Sequence, residues 1–129
     1  MIKKIITVLI VFAIIFGFYK ITSQKPASIT STPTPDASLV LFFGDTCPHC
    51  KDVEEFISQN KIEEKIKINK FEVYSNKTNA NLMSQMVKDN CPDNLNSEGL
   101  PVPFLINTET KSCFIGTPDI TNHLTEKAK

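Results

Sequence analysis

Residues 38–57 read S-L-V-L-F-F-G-D-T-C-P-H-C-K-D-V-E-E-F-I, and the fold turns on how this stretch is read. S-L-V-L-F-F (38–43) is a short, continuous apolar run, the pattern of a strand buried on both faces. Pro48 suits the first position of a helix, where its missing N–H costs nothing. Cys50, Val53, Phe56 and Ile57 then recur at helical spacing, which predicts a helix over about 48–60. Two cysteines, Cys47 and Cys50, therefore stand where a buried strand passes into a helix.

Downstream, K-I-K-I-N-K-F-E-V-Y (65–74) alternates apolar and polar residues, with a slip at Asn69-Lys70 that predicts a bulge. Residues 77–90 place Leu82, Met83, Met86 and Val87 on one helical face, and a loop, C-P-D-N-L-N-S-E-G-L (91–100), follows. V-P-F-L-I-N (102–107) and S-C-F-I-G (112–116) are short strands joined by T-E-T-K, the pattern of a hairpin. Thr117 is expected to cap a last helix, with Pro118 and Asp119 in its first turn and Ile120 and Leu124 inside. The order β-α-β-α-β-β-α predicts an α/β domain. Its first β-α-β unit implies a parallel pair with a right-handed crossover. The closing hairpin makes the four-stranded sheet mixed, with helices flanking it. Phe42, Phe43, Phe71, Phe104 and Phe114 read as core or site-rim residues. Glu54-Glu55 and Glu63-Glu64 read as solvated, and His123 as a surface or partly buried histidine.

Upstream, residues 1–21 form no part of a globular domain. The run from Ile5 to Tyr19 is uncharged, and residues 2–21 span about 30 Å as a helix if the flanking lysines snorkel. No A-x-A-like cleavage site or lipobox cysteine follows, so an uncleaved signal anchor is expected over a cleaved signal peptide. The short N-terminal flank favours the N-terminus inside and the domain on the extracytoplasmic side, although Lys3 and Lys4 are balanced by Lys20 and Lys25. Residues 22–37 are rich in Ser, Thr and Pro and read as an extended linker. The folded domain is expected over 38–129.

Charge narrows the partners. The 129 residues carry no Arg, and lysine balances acid to a formal net charge of zero. No nucleic-acid partner is expected without a basic excess, and bidentate capture of phosphate or carboxylate lacks its usual residue. The lack of Arg beside abundant Lys, Ile and Asn resembles low-GC coding and hints at a bacterial source.

The C-P-H-C motif carries the chemistry. Thiolate is the reactive form of cysteine, and a helix N-terminus offers free N–H groups and a positive dipole end that stabilise it. Cys50, three residues on, shares the helical side of Cys47 and lies closer to the core. Cys47 can then attack a disulfide and Cys50 resolve the mixed disulfide. His49 between them, and Asp45 and Thr46 before them, are candidates to tune Cys47; a cation there favours the thiolate and a carboxylate opposes it. A dithiol stabilised when reduced is an oxidant. A metal site using Cys47, Cys50 and His49, or Cys91 and Cys113, is the competing reading, but no second CxxC or HxxxH accompanies it. The spare Cys91 and Cys113 leave three possibilities: a structural disulfide, two separate buried thiols, or a redox role for Cys91.

Taken with V-P-F-L-I (102–106) and F-I-G-T-P-D-I (114–120), the opening stretch resembles the thioredoxin-like superfamily, and within it the compact glutaredoxin-type members. The resemblance covers about 38–127. The C-P-H-C sequence is similar to that of the DsbA oxidants. The resemblance implies a thiol–disulfide oxidoreductase without a cofactor, acting on cysteine-containing proteins and exchanging electrons with a membrane or soluble redox partner. It also implies a cis-proline that helps bind the substrate backbone, best matched by Pro103 after Val102, with Pro101 as rival. Three departures stand out. Gly44-Asp45-Thr46 replaces the lysine by which glutaredoxins hold glutathione, which argues against glutathione as a partner despite Gly116 and Asp119. The buried carboxylate that thioredoxins and DsbA proteins carry in the first strand is missing, so protons are expected to pass through solvent, His49 or Asp45. The helical insertion of DsbA is missing too, so strong substrate selection is not expected.

Overall fold

The computed structural model describes residues 36–95 and 99–129. The expected signal anchor (1–21) and nearly all of the linker (22–37) lie outside them. Among the described residues no helix is long and apolar enough to cross a membrane.

Among the described residues, four strands and three α-helices follow one another as β1 (Leu39–Phe43), α1 (Pro48–Gln59), β2 (Ile68–Glu72), α2 (Lys77–Asn90), β3 (Phe104–Asn107), β4 (Ser112–Ile115) and α3 (Thr117–Lys127), with short 3-10 turns at Ile62–Glu64 and Pro92–Asn94. The sheet order is β2-β1-β3-β4. β1 runs parallel to β2 and antiparallel to β3, and β3 pairs antiparallel with β4. This small α/β domain, with a mixed four-stranded sheet and helices on it, is compatible with a thioredoxin-like fold.

The unbroken apolar run of β1 follows from its central position. Side chains alternate across a strand, so Leu39 and Leu41 face one layer while Val40 and Phe42 face the other. The first layer joins Leu39, Leu41 and Leu105 to Val53 and Ile57 of α1 and Ile120 and Leu124 of α3. The second joins Val40, Phe42, Phe71, Phe104 and Ile106 to Met83 and Val87 of α2. Phe42 and Phe71 are direct register partners, their rings stacked at 5.7 Å between centroids.

Two local expectations are corrected. Asn69-Lys70 holds no bulge: β1 and β2 pair without interruption from Leu39↔Ile68 to Phe43↔Glu72. The pattern slips because β2 is an edge strand. Lys70 lies over the partly covered sheet face and brings its ammonium to Glu63, 3.0 Å away, as a snorkelling side chain can. Nor does Thr117 cap α3. Gly116 is the N-cap at φ 81°, with no side-chain cap bond, a conformation that favours glycine. Thr117 is instead the first helical residue, and its Oγ1 donates to the carbonyl of His49 at 3.2 Å. That bond ties the start of α3 to the first turn of α1.

Candidate active site

Parallel pairing brings the C-terminal ends of β1 and β2 to one edge of the sheet, and the site forms there. β1 ends at Phe43, and Gly44 begins the turn into α1. The N–H of Cys47 donates to the Gly44 carbonyl at 3.0 Å. Cys47 is the N-cap of α1 with Pro48 behind it, and no side chain caps the helix. Cys47 and Cys50 are both free thiols and both buried, 7 % and 2 % exposed.

Their surroundings differ. Cys47 Sγ donates to the backbone carbonyl of Val102 at 3.6 Å. The Val102–Pro103 bond is the cis peptide among the described residues. Pro103 is buried and Pro101 is exposed, so the loop before β3 brings the Val102-Pro103 pair, not Pro101, to the cysteines. Cys50 Sγ accepts the Gly44 N–H at 3.4 Å. Its thiol is pushed up to about 12, first by burial, then by its hydrogen bond to Cys47, and further by the charges of Cys47 and Glu54 against the opposing Gly44 N–H. The pair is thus asymmetric: Cys50 holds its proton and shares it with Cys47.

Of the other candidates, Asp45, Thr46 and His49 are exposed. The His49 ring turns along the helix toward Asp52, with Nδ1 3.7 Å from Oδ2. The Asp45 backbone helps to lower the Glu72 carboxyl.

Cys91 and Cys113 are joined by a disulfide, with Cα atoms 6.3 Å apart. Register explains the pairing. Cys113 is opposite Ile106 on β4 and packs in the α2-side layer, and Cys91 is the residue that ends α2. These two cysteines are thereby withdrawn from the metal set considered above. Among the described residues no three His, Cys, Asp or Glu side chains group as a metal site.

Two residues that the sequence did not single out, Tyr74 and Glu72, and one expected to be solvated, Glu54, stand beside the cysteines. The Tyr74 ring, just past β2, packs on Gly44 so closely that a Cβ there would collide with it. Burial followed by the charges of Cys47 and Cys50 raises its phenol above the ordinary value. Glu72, the last residue of β2, accepts the N–H of Tyr74 at 2.6 Å and both the N–H and hydroxyl of Ser75, at 3.0 Å and 2.6 Å. Burial pushes the Glu72 carboxyl up, but the bonds from Ser75, Tyr74 and Asp45 outweigh it and hold the carboxyl below its usual value. Glu54, one turn beyond Cys50, is half-buried and acts on Cys50 by charge. Its place four residues after Cys50 was the available signal. Tyr74 had none except the parallel pairing that sets it beside Gly44.

A groove of about 320 Å³ opens next to the cysteines, lined by Val73, Tyr74, Met83, Leu95, Leu100 and Val102 among others. Tyr74 and Val102 border both groove and site.

No family model matches the chain, and neither a curated protein nor a solved structure matches it. The cysteines themselves, one disulfide and one free pair nearby, are compatible with redox chemistry.

Proposed function

We propose that the protein is a membrane-tethered thiol–disulfide oxidoreductase of the thioredoxin-like superfamily, glutaredoxin-type in its compact domain and similar to the DsbA oxidants in its C-P-H-C motif. One observation carries this reading: two free, buried cysteines at the head of α1, Cys50 with its thiol raised by burial and Cys47 against the carbonyl that precedes cis-Pro103. Cys47 is the attacked and attacking sulfur, Cys50 the resolving thiol, and Val102-Pro103 the platform for the substrate backbone.

In the oxidising direction a substrate thiolate attacks Cys47 Sγ of the Cys47–Cys50 disulfide. The bond between the two cysteines breaks, and Cys50 leaves with the electron pair and takes up a proton, which its high proton affinity favours. A second substrate thiolate then attacks the substrate sulfur of the mixed disulfide, and Cys47 departs as thiolate. Two substrate thiols are oxidised to a disulfide and the enzyme pair is reduced. A membrane or soluble partner must reoxidise it. With residues 2–21 as anchor and the domain on the extracytoplasmic side, the substrates are cysteines of exported proteins.

The test is the reduction potential of the Cys47–Cys50 pair in the full chain, equilibrated against glutathione buffers. A value between about −120 and −180 mV marks a disulfide donor or isomerase, and about −270 mV marks a reductase that needs an electron supply. Failure to form any reversible disulfide refutes the redox reading.

A further inference from the structure

We infer that the apolar groove beside the dithiol is a specificity site: it takes one large apolar side chain of the substrate protein, from a residue close in sequence to the cysteine that reacts with Cys47. The inference deepens the Cys47–Cys50 reading above and rests on it. Strong substrate selection is not expected from the sequence, and the groove supplies a source of it.

The groove is continuous with the reacting sulfur. Val102 lines it, and the carbonyl of the same residue lies 3.6 Å from Cys47 Sγ. A substrate whose cysteine meets Cys47, with its backbone along Val102-Pro103, therefore sets its neighbouring side chains over the groove. Extended backbone advances about 3.3 Å per residue and turns alternate side chains to opposite faces, so residues within about two positions of the cysteine are in reach.

The rim of the groove is apolar and open to solvent. Among the described residues Tyr74 and Leu95 are the large hydrophobic side chains left exposed, by 60 % and 42 %, and both line this groove. Exposed apolar groups gathered at one concavity mark a contact surface. Met83 and Leu100 line it too, and among the described residues no charged side chain does. A carboxylate or ammonium entering it would lose water and gain no partner. Glutathione, which brings two carboxylates, finds no cation there. The volume of about 320 Å³ is at the small end of ligand pockets, roughly 300–1,000 Å³, and suits a side chain rather than a folded surface.

Both walls are held by the fold. Glu72 accepts the N–H of Tyr74 at 2.6 Å and that of Ser75 at 3.0 Å, turning the chain after β2 so that the Tyr74 ring lies on Gly44. Opposite, the Cys91–Cys113 disulfide ties the end of α2 to β4, and the N–H of Gly116 donates to the Pro103 carbonyl at 3.0 Å. These two ties anchor the ends of the segment that carries Leu95, Leu100 and Val102.

The test is a competition for Cys47 in the full chain carrying Cys50→Ser, in which a mixed disulfide, once formed, is kept. Short glycine peptides with a single cysteine carry leucine, serine, glutamate or lysine at the first or second position before or after it. Pairs of peptides, as thiol and disulfide in excess, are equilibrated with the protein. The Cys47 thiolate attacks a peptide disulfide, a peptide thiolate leaves with the electron pair, and the adducts are read by mass. N-acetylcysteine in place of the protein corrects for the strengths of the peptide thiols themselves. Both peptides compete for one sulfur, so any change in its reactivity cancels. Full burial of a leucine side chain is worth more than about tenfold, and the groove is open on one side, so leucine should exceed serine and glutamate by about tenfold at one or more of these positions. Tyr74→Ala removes an exposed wall and should bring that ratio to within about twofold. Ser84→Glu places a charge at an exposed edge of the groove and should raise lysine against leucine several-fold. A wild-type ratio within about twofold at every position, or one that both variants leave unchanged, overturns the inference. So does a dimer in sedimentation that Tyr74→Ala dissociates, which gives the groove to a second copy of the chain. Adduct formation needs only the Cys47 thiol. A pair that forms no reversible disulfide therefore defeats the proposed function, whereas a flat ratio defeats the groove alone.

Discussion

Removing the Cys91–Cys113 disulfide by Cys91→Ala with Cys113→Ala should lower the stability of the domain by about 3 kcal/mol. The two residues are separated by 22 in sequence. The chain-entropy relation then gives about 11 cal/mol/K of unfolded-state entropy removed by the cross-link, or about 3.4 kcal/mol at about 25 °C. Lost packing adds little, because the replaced groups are two sulfurs at the rim of the α2-side layer, with Cys91 9 % exposed and Cys113 half-buried. A domain of this size has about 5–14 kcal/mol in total, so the loss is a large share of it. The assay is urea unfolding of both proteins followed by circular dichroism, with the Cys47–Cys50 pair held in the same oxidation state in each. With a slope near 1.5 kcal/mol/M, the midpoint should fall by about 2 M. A loss below about 1 kcal/mol would refute the reasoning. It would mean that the bond does not form, or that the unfolded chain already keeps the two segments together.

Four further outcomes follow from the same geometry. Phe42→Ala should cost about 3–5 kcal/mol by the same unfolding assay, since Phe42 is fully buried and stacked on Phe71. Cys50→Ser should accumulate a mixed disulfide at Cys47 when challenged with a cysteine peptide disulfide, visible as an added mass, whereas Cys47→Ser should not. His123 stacks on Phe114 at 3.9 Å, and burial, then Lys127, lowers its pKa below 6.5 despite Glu126. The unfolded state therefore binds the proton more readily: the stability that neutral His123 contributes is present above 6.5 and is lost as pH falls through the lower folded value. A His123→Phe variant should lack that part of the decline in unfolding midpoint. The same sign holds for Glu72, whose carboxyl lies below its usual 4.5 once hydrogen bonds outweigh burial. Its contribution is present above that value and lost on further acidification, and Glu72→Gln should flatten the acid limb of the unfolding midpoint against pH.

Much of this molecule is legible along the chain. The continuous apolar run of residues 39–43 announces a strand buried on both faces, and the helical recurrence of Cys50, Val53 and Ile57 announces α1, because side-chain periodicity directly reflects which faces meet the core. The same reading places Cys47 at a helix start and Cys50 one turn inward. Val102-Pro103 was the better of two proline candidates, but L-P-V-P left the choice to loop length, which only the folded path of the chain settles. Asn69-Lys70 misled because an edge strand can carry a lysine on its covered face when the ammonium reaches out to Glu63. Thr117 misled because Gly116 could adopt a positive φ that turns the chain one residue earlier.

Local sequence thus determined the elements and the position of the dithiol, since both rest on contacts and periodicities within a few residues. Only the tertiary structure decided what stands around the sulfurs. Tyr74 lies 27 positions from Cys47 and Val102 lies 55, and parallel pairing of β1 with β2 and antiparallel pairing of β1 with β3 bring them to one edge. The Cys91–Cys113 bond was decided in the same way, by the register that puts Cys113 on the α2 side of the sheet. Strand register is a property of pairs of distant segments, and no single segment encodes it.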